Sequence, residues 1–354
     1  MVSFDKLRAS YTRSHRHRMQ QAETTSIPLN APSANESARP ISWVHITTEL
    51  TKARLNALVV LTTAVGFLLA CGDAIDWMRL SIAMLGTALA AASAAILNQV
   101  IEKRRDGLML RTRNRPLPAG LVPSSVAFTA GCILGFAGFA LLATEINMLT
   151  GVLGGANILI YVLLYTPLKP RTTMNTIVGA VCGAIPPLMG WTAVTGRIDP
   201  AAWVLAGVLF VWQIPHFLAL AWKYREDYAR GGHAMLPVFD ADGRITSQAA
   251  LLTTLLLVPL LLSATMFGLT GWWSAAFSFF ATLLFAALAV QFARYKDDRT
   301  ARTLFLASIA WLPLVLLVMV IDRGPVSVGA FLRGRPNDRI FEMNSPPPAL
   351  ESPR

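Results

Sequence analysis

Apolar runs of about 20 residues, the length a helix needs to cross a bilayer, recur nine times along this chain, and that pattern constrains the fold more than any other feature. They cover roughly 55–72, 80–101, 122–143, 147–166, 174–195, 201–222, 248–269, 272–292 and 302–321. The seventh and eighth are the least separated, with only Thr270, Gly271 and Trp272 punctuating the pattern. The expected fold class is therefore an all-α integral membrane protein with nine transmembrane helices. Composition agrees. Hydrophobic residues make up 54% of the 354, and charged residues only 14%, where a soluble domain carries about 25%. The mean hydropathy is +0.50. A disordered chain, a disulfide scaffold and an ordinary cytosolic enzyme are excluded. Cys71, Cys132 and Cys182 lie in apolar stretches without metal or redox spacing.

The net charge of +11 would suggest nucleic acid in a soluble protein. In a membrane protein it reads as the asymmetry that sets orientation, and no nucleic-acid partner is expected. Of the 31 Lys and Arg, 24 fall in the N-terminal segment and in the loops after the second, fourth, sixth and eighth runs. The opposite loops hold Arg79 and Arg197 alone, with five more basic residues in the C-terminal tail. This places the N-terminus and the basic loops on the cytoplasmic (or matrix) side and the C-terminus outside.

The ends differ from the middle. Residues 1–42 are polar, with a basic start and a Pro/Ser/Asn/Ala stretch, and residues 323–354 end in SPPPALESPR. Both read as disordered tails flanking a transmembrane domain over 43–322. The first 20 residues carry five basic residues and one acid. That balance suits a mitochondrial transit peptide, but a bacterial cytoplasmic arm is the plainer reading, so a bacterial inner membrane is favoured over a mitochondrial one. No apolar segment of a cleavable signal peptide precedes residue 55.

Chemistry points to the basic loops. The stretch NQVIEKRRDGLMLRTRNRPLPAG follows the second run. If the helix continues into it, Asn98, Glu102 and Asp106 share one face at i, i+4 and i+8. Ionisable groups at the end of a membrane helix are costly and mark function by default. Two carboxylates and an amide are oxygen ligands for a hard cation, and Mg²⁺ is commonly held by one or two carboxylates together with substrate phosphates. Arg111, Arg113 and Arg115 lie beyond and can fork onto phosphate oxygens. The plainer alternative is a solvated basic anchor at the lipid surface, and the start of the acidic spacing inside an apolar run weighs against it.

A second stretch, YTPLKPRTTMNTIVGAVCGAIPPLMGW, brings Lys169 and Arg171 as phosphate candidates and Asn175 one turn into the fifth run. Its Gly179, Gly183 and Pro186-Pro187 fit close helix packing and a shaped cavity equally well. A third, WQIPHFLALAWKYREDYARGGHAMLPV, sets His216 about two turns inside the end of the sixth run, with Lys223, Asp227, Tyr228 and Arg230 beyond it. A lone histidine is more often a packing residue than a ligand. Two acidic and basic clusters on one membrane face, four helices apart, suggest a duplicated architecture around one central cavity.

These three blocks resemble the UbiA-type intramembrane prenyltransferases, and within them the branch that farnesylates protoheme IX, the heme O synthases. The similarity covers roughly residues 42–322. It implies nine helices around a central cavity, and transfer of farnesyl from farnesyl diphosphate to a vinyl group of heme B, with addition of water. By position, Asn98, Glu102 and Asp106 would hold diphosphate through Mg²⁺, and Asp227 a second Mg²⁺. Arg111, Arg115, Lys169 and Arg171 would bind diphosphate directly, with Asn175 lining the site. His216 and Tyr228 would contact heme, with the iron as one of the atoms His216 could meet. Where the wider group often has aspartate pairs, this chain has Glu102 in the first motif and Gly231 four residues after Asp227, so metal number is left open. Transient contact with heme A synthase or a terminal oxidase is a further expectation. Two rival readings are a UbiA-type enzyme acting on a quinone precursor or chlorophyll-type ring, and a secondary transporter. The transporter would need charges near the midplane rather than at one face.

Overall fold

A computed structural model describes residues 42–72 and 74–324. The two polar tails and the transit-peptide alternative lie outside the described residues, except for Ser42, Arg323 and Gly324. The chain divides into two compact units, Met1–Thr47 and Thr48–Arg354. A short helix, Trp43–Leu50, includes the boundary. The cavity and the long helices belong to the second unit.

Nine helices among the described residues are long and apolar enough to span a membrane. They are α1 (Ala53–Ala70), α2 (Trp77–Asp106), α3 (Ser124–Glu145), α4 (Met148–Leu168), α5 (Asn175–Thr195), α6 (Pro200–Lys223), α7 (Arg244–Met266), α8 (Trp272–Tyr295) and α9 (Asp298–Ile321). Each corresponds to one apolar run. Several extend past the run into charged residues, because a helix with its backbone paired internally has no reason to stop at the bilayer edge. The largest extension is in α2. Its 30 residues rise about 45 Å, well beyond the ~30 Å hydrocarbon core. The Asp76 side chain caps its start by accepting from the Arg79 N–H, and Lys103, Arg104 and Arg105 fill its last turn, where the helix dipole favours cations. In α4 the segment Ile160–Tyr165 widens into a π-helix.

Sequential helices pack as neighbours, and further pairings, chiefly α1 with α5 and α6 with α9, hold the bundle together. One apolar core joins α1 with α5 through α9 around Leu69, Trp191, Leu205, Leu257 and Phe292. A second lies between α1, α2, α3 and α5 around Phe67, Ala83, Leu142 and Met189. Water drives little of this inside a membrane, so helix contact relies on small residues and on polar links between backbones. The α1–α5 crossing shows both. A Cβ on Gly190 would collide with the Thr63 carbonyl, and one on Gly66 with the Pro187 carbonyl. Thr63 Oγ1 donates to the Pro186 carbonyl at 3.1 Å. The Pro pair does not break α5, which runs from Asn175 to Thr195.

Adding a methyl group at this crossing forces the two backbones apart. Gly190→Ala should cost about 1–3 kcal/mol, read as a lower thermal midpoint in detergent. Gly72→Ala, where a new Cβ meets nothing within 4 Å, should leave the midpoint unmoved. Equal midpoints for the two variants would contradict the packing described.

Candidate active site

At the C-terminal end of α2, Asn98, Glu102 and Asp106 share one buried face, as the i, i+4, i+8 spacing predicts. Each meets a cation. Asn98 Oδ1 accepts from Lys52 Nζ at 2.8 Å, and its Nδ2 donates to Thr166 Oγ1 at 2.9 Å. Both carboxylate oxygens of Glu102 lie 2.9 Å from Lys169 Nζ, with the hydrogen bond directed to Oε2. Asp106 Oδ2 accepts from Arg115 at 2.8 Å. Glu102 is 5% exposed and Asp106 1%. A buried carboxylate without its counterion costs several kcal/mol, so these partners make the arrangement tenable.

The pairing shapes the titration of the groups outside the membrane spans. Burial, with Arg115 and Lys169 as like-charged neighbours, pulls the Lys52 ammonium down to about 7. Burial also opposes the charge on Lys169, but the Glu102 carboxylate beside it holds that ammonium above the usual lysine range. His233 is pushed down to about 4 by burial and is neutral at pH 7. Its Nδ1 has no hydrogen-bond partner.

Three loops interlock over this face. Asp227, on the short helix Arg225–Arg230, accepts the Leu110 N–H at 2.9 Å and the Arg111 N–H at 3.1 Å, one on each carboxylate oxygen. Arg105 donates to the carbonyls of Gly231 and Gly232. The Ala234 N–H donates to the Lys169 carbonyl at 2.6 Å, and Asn175 Nδ2 donates to the Ala234 carbonyl at 3.0 Å. The loops after α2, α4 and α6 are thereby tied into one rim. Arg111 lies over the Tyr224 ring at 5.1 Å and the Tyr228 ring at 5.8 Å.

Beneath the rim lies a cavity of about 370 Å³. Glu102, Asp106, Arg111, Arg115, Lys169, Asn175, His216 and Tyr228 all border it. Its deeper walls are apolar or aromatic: Ala90, Ala91 and Ala94 on α2, Tyr161 and Tyr165 on α4, Pro186 on α5, and Trp212 and Phe217 on α6. A Cβ on Gly183 would strike the Gln213 side chain, while both residues border the cavity. The glycines of α5 therefore serve packing and cavity together.

Three expected site residues stand elsewhere or act differently. Asn98 is fully buried behind the cavity wall, sealed by Lys52 and Thr166. Arg171 is exposed and does not border the cavity. Lys169 faces inward to Glu102, and two residues further round a helical turn the side chain points away. Asp227 does not border the cavity either. Both its oxygens are engaged by backbone N–H groups, and it fixes the segment that carries Arg111. Tyr228, expected to contact heme, borders the cavity from the cationic rim, between Arg111 and His233. Sequence reasoning missed Lys52, counted only as one of many basic N-terminal residues, and His233, Tyr161 and Gln213, whose positions depend on contacts between distant segments.

Oxygen donors in this number suit Mg²⁺. The buried Asn175 Oδ1 accepts no hydrogen bond, and Glu102 Oε1 meets only the Lys169 ammonium. Among the described residues no three His, Cys, Asp or Glu side chains cluster as a self-sufficient metal cage. A cation sharing its coordination with diphosphate oxygens and water needs no such cage.

The family model described as the UbiA prenyltransferase family matches residues 59–311. This chain belongs to that family. Relatives include the mitochondrial protoheme IX farnesyltransferase of Arabidopsis thaliana, 42% identical over 78% of this chain and 64% of the relative. The protoheme IX farnesyltransferase of Opitutus terrae is also 42% identical, over 78% of this chain and 93% of the relative. The chain thus spans less than two thirds of the plant relative's length. Among solved structures, a UbiA homolog from Archaeoglobus fulgidus bound to DMAPP and Mg²⁺ superposes with a TM-score of 0.61 at 15% identity, covering 78% of this chain and 99% of the homolog. The UbiA fold is the shared feature at that identity. Glu102, Asp106 and Asp227 of this multi-pass membrane protein gather at one end of the bundle, and the family match separates it from the transporter alternative.

Asp227→Ala would leave the Leu110 and Arg111 N–H groups without their acceptor. Hydrogen bonds to a charged group are worth about 1.5–3 kcal/mol. Amide exchange across 108–115 should therefore quicken by about tenfold or more, with α5 and α6 unaffected. Unchanged exchange in that segment would remove the structural role assigned to Asp227.

Proposed function

We propose that this protein transfers the farnesyl group of farnesyl diphosphate to a vinyl group of heme B, giving heme O and diphosphate. The observation that carries the reading is the buried pair Glu102 and Asp106, each paired with a cation and bordering an apolar cavity that His216 also borders. The names of the relatives favour heme over a quinone precursor as acceptor.

The pair and the rim bind the diphosphate. Lys52, Arg111, Arg115 and Lys169 carry more positive charge than Glu102 and Asp106 cancel, so the cavity mouth attracts a polyanion. When the allylic C–O bond breaks heterolytically, its electron pair leaves with diphosphate, and these fixed cations stabilise the growing negative charge without reorganising. Mg²⁺, held by Glu102 and Asp106 with Asn98 behind them, would supply further charge neutralisation. The prenyl chain and the macrocycle occupy the apolar part, where Tyr161, Tyr165, Trp212 and Phe217 keep water from the allylic cation. The vinyl carbon of heme B attacks that cation and forms the new C–C bond. Water then adds to the resulting cation and loses a proton, so that farnesyl diphosphate, heme B and water give heme O, diphosphate and a proton.

The Lys and Arg asymmetry supports a cytoplasmic or matrix location for the rim, in a bacterial inner membrane by preference, which gives the charged diphosphate direct access from water. A product with an added prenyl tail stays in the bilayer plane, where transient contact with heme A synthase or a terminal oxidase would suffice for its transfer.

Glu102→Ala and Asp106→Ala should each lower heme O formation by at least about 100-fold, the scale of losing one electrostatic stabiliser, while the protein still inserts. Pigments extracted from expressing membranes and separated with mass detection provide the readout: a species heavier than heme B by one farnesyl group and one hydroxyl. Chelation of Mg²⁺ in isolated membranes should stop the reaction and Mg²⁺ restore it. Full activity in either variant would overturn the diphosphate assignment, and an inserted wild type that makes no such species would overturn the heme assignment.

A further inference from the structure

His216 has two ring nitrogens, and the protein engages one. Nδ1 lies 2.8 Å from Ser308 Oγ, and Ser308 Oγ lies 2.6 Å from the Phe305 carbonyl oxygen. Two oxygens that close need a proton between them. A carbonyl has none, so the Ser308 hydroxyl gives its single hydrogen to Phe305 and retains only lone pairs toward the imidazole. The proton in the contact with His216 must then be the histidine's own. His216 is the Nδ1–H tautomer, and Nε2 carries a lone pair.

The surroundings hold that state rigidly. Ser308 is fully buried, and its own carbonyl accepts the Trp212 Nε1–H at 3.0 Å. The imidazole stacks on Trp212 with ring centroids 5.0 Å apart and planes 24° from parallel, and packs on Phe305 at 4.9 Å. Nε2 enters no hydrogen bond among the described residues, and His216 borders the cavity. A histidine that shuttles protons is usually backed by a carboxylate that stabilises its imidazolium form. The backing here is a neutral hydroxyl already committed to a carbonyl, an arrangement suited to a fixed neutral ligand whose other N–H is held by a second residue.

We propose that Ser308 is a positioning residue, which holds His216 as the Nδ1–H tautomer so that Nε2 ligates the iron of the tetrapyrrole substrate. The role rests on the heme reading above. Ligation through Nε2 would anchor the macrocycle against α6 and set which edge faces the diphosphate end of the cavity.

The test uses the full-length protein in lipid nanodiscs titrated with ferrous heme B, without farnesyl diphosphate. The wild type should show an iron–imidazole stretching band by resonance Raman, and His216→Ala should lose it. Ser308→Ala should bind heme about 10- to 100-fold more weakly, the usual cost of losing the partner of a ligating histidine, with a shifted band and a raised KM for heme at little changed kcat. Ser308→Thr, which keeps the hydroxyl, should restore both. Ser308→Cys, similar in size but a weak acceptor, carries the expectation of the alanine variant should that one fail to fold. A wild type that makes heme O without an iron–imidazole band would overturn the proposal, as would a Ser308→Ala or Ser308→Cys protein indistinguishable from wild type, and the heme reading would survive either result. A wild type that neither binds heme nor makes heme O would overturn both.

Discussion

Two carboxylates at the end of a membrane helix are tolerable only if something offsets their charge, and the whole rim is organised around that requirement. Glu102 and Asp106 are almost wholly buried, where an unpaired charge would destabilise the fold by several kcal/mol. Their partners come from different parts of the chain: Lys169 from the loop after α4 and Arg115 from the loop after α2. The neighbouring amide, Asn98, draws Lys52 from the start of α1. Charge compensation therefore converges three segments on one spot. The same cations are the groups that a diphosphate would need, already in place before it binds.

The loops that present these side chains are held by backbone contacts rather than by apolar packing. Asp227 and Arg105 each bind two backbone groups of a neighbouring loop, and Asn175 links α5 to the segment after α6. A rim so tied is placed by a few directional bonds, while the helices beneath are placed by small-residue contact.

Much of this was legible in the sequence. Nine apolar runs became nine helices because a membrane allows few other structures for them. Asn98, Glu102 and Asp106 were legible as one face because helical spacing is local. Which cation meets which acid was not, since Lys52 and Asn98 are 46 residues apart and Lys169 and Glu102 are 67 apart. Arg171 and Lys169 look alike in sequence, and only the direction of the turn separates them. Asp227 carried the chemistry of a metal ligand but meets backbone N–H groups first. His216 was visible as an oddity in an apolar run, whereas its partner Ser308, 92 residues away, looked like any small polar residue in a helix.

The widened segment of α4 has a consequence for how this fold tolerates changes in length. Across Ile160–Tyr165 the backbone bonds reach five residues back, and the Thr166 N–H and hydroxyl both meet the Tyr161 carbonyl. That places Thr166 against Asn98 and, three residues later, Lys169 against Glu102. Shortening this stretch by one residue would return it to an ordinary helix and turn everything after it by about 100°. Both contacts would then be lost although every participating side chain was still present. The register of α4 is thus as much a part of the binding site as its lysine, and an insertion or deletion there would act like a substitution of Lys169 itself.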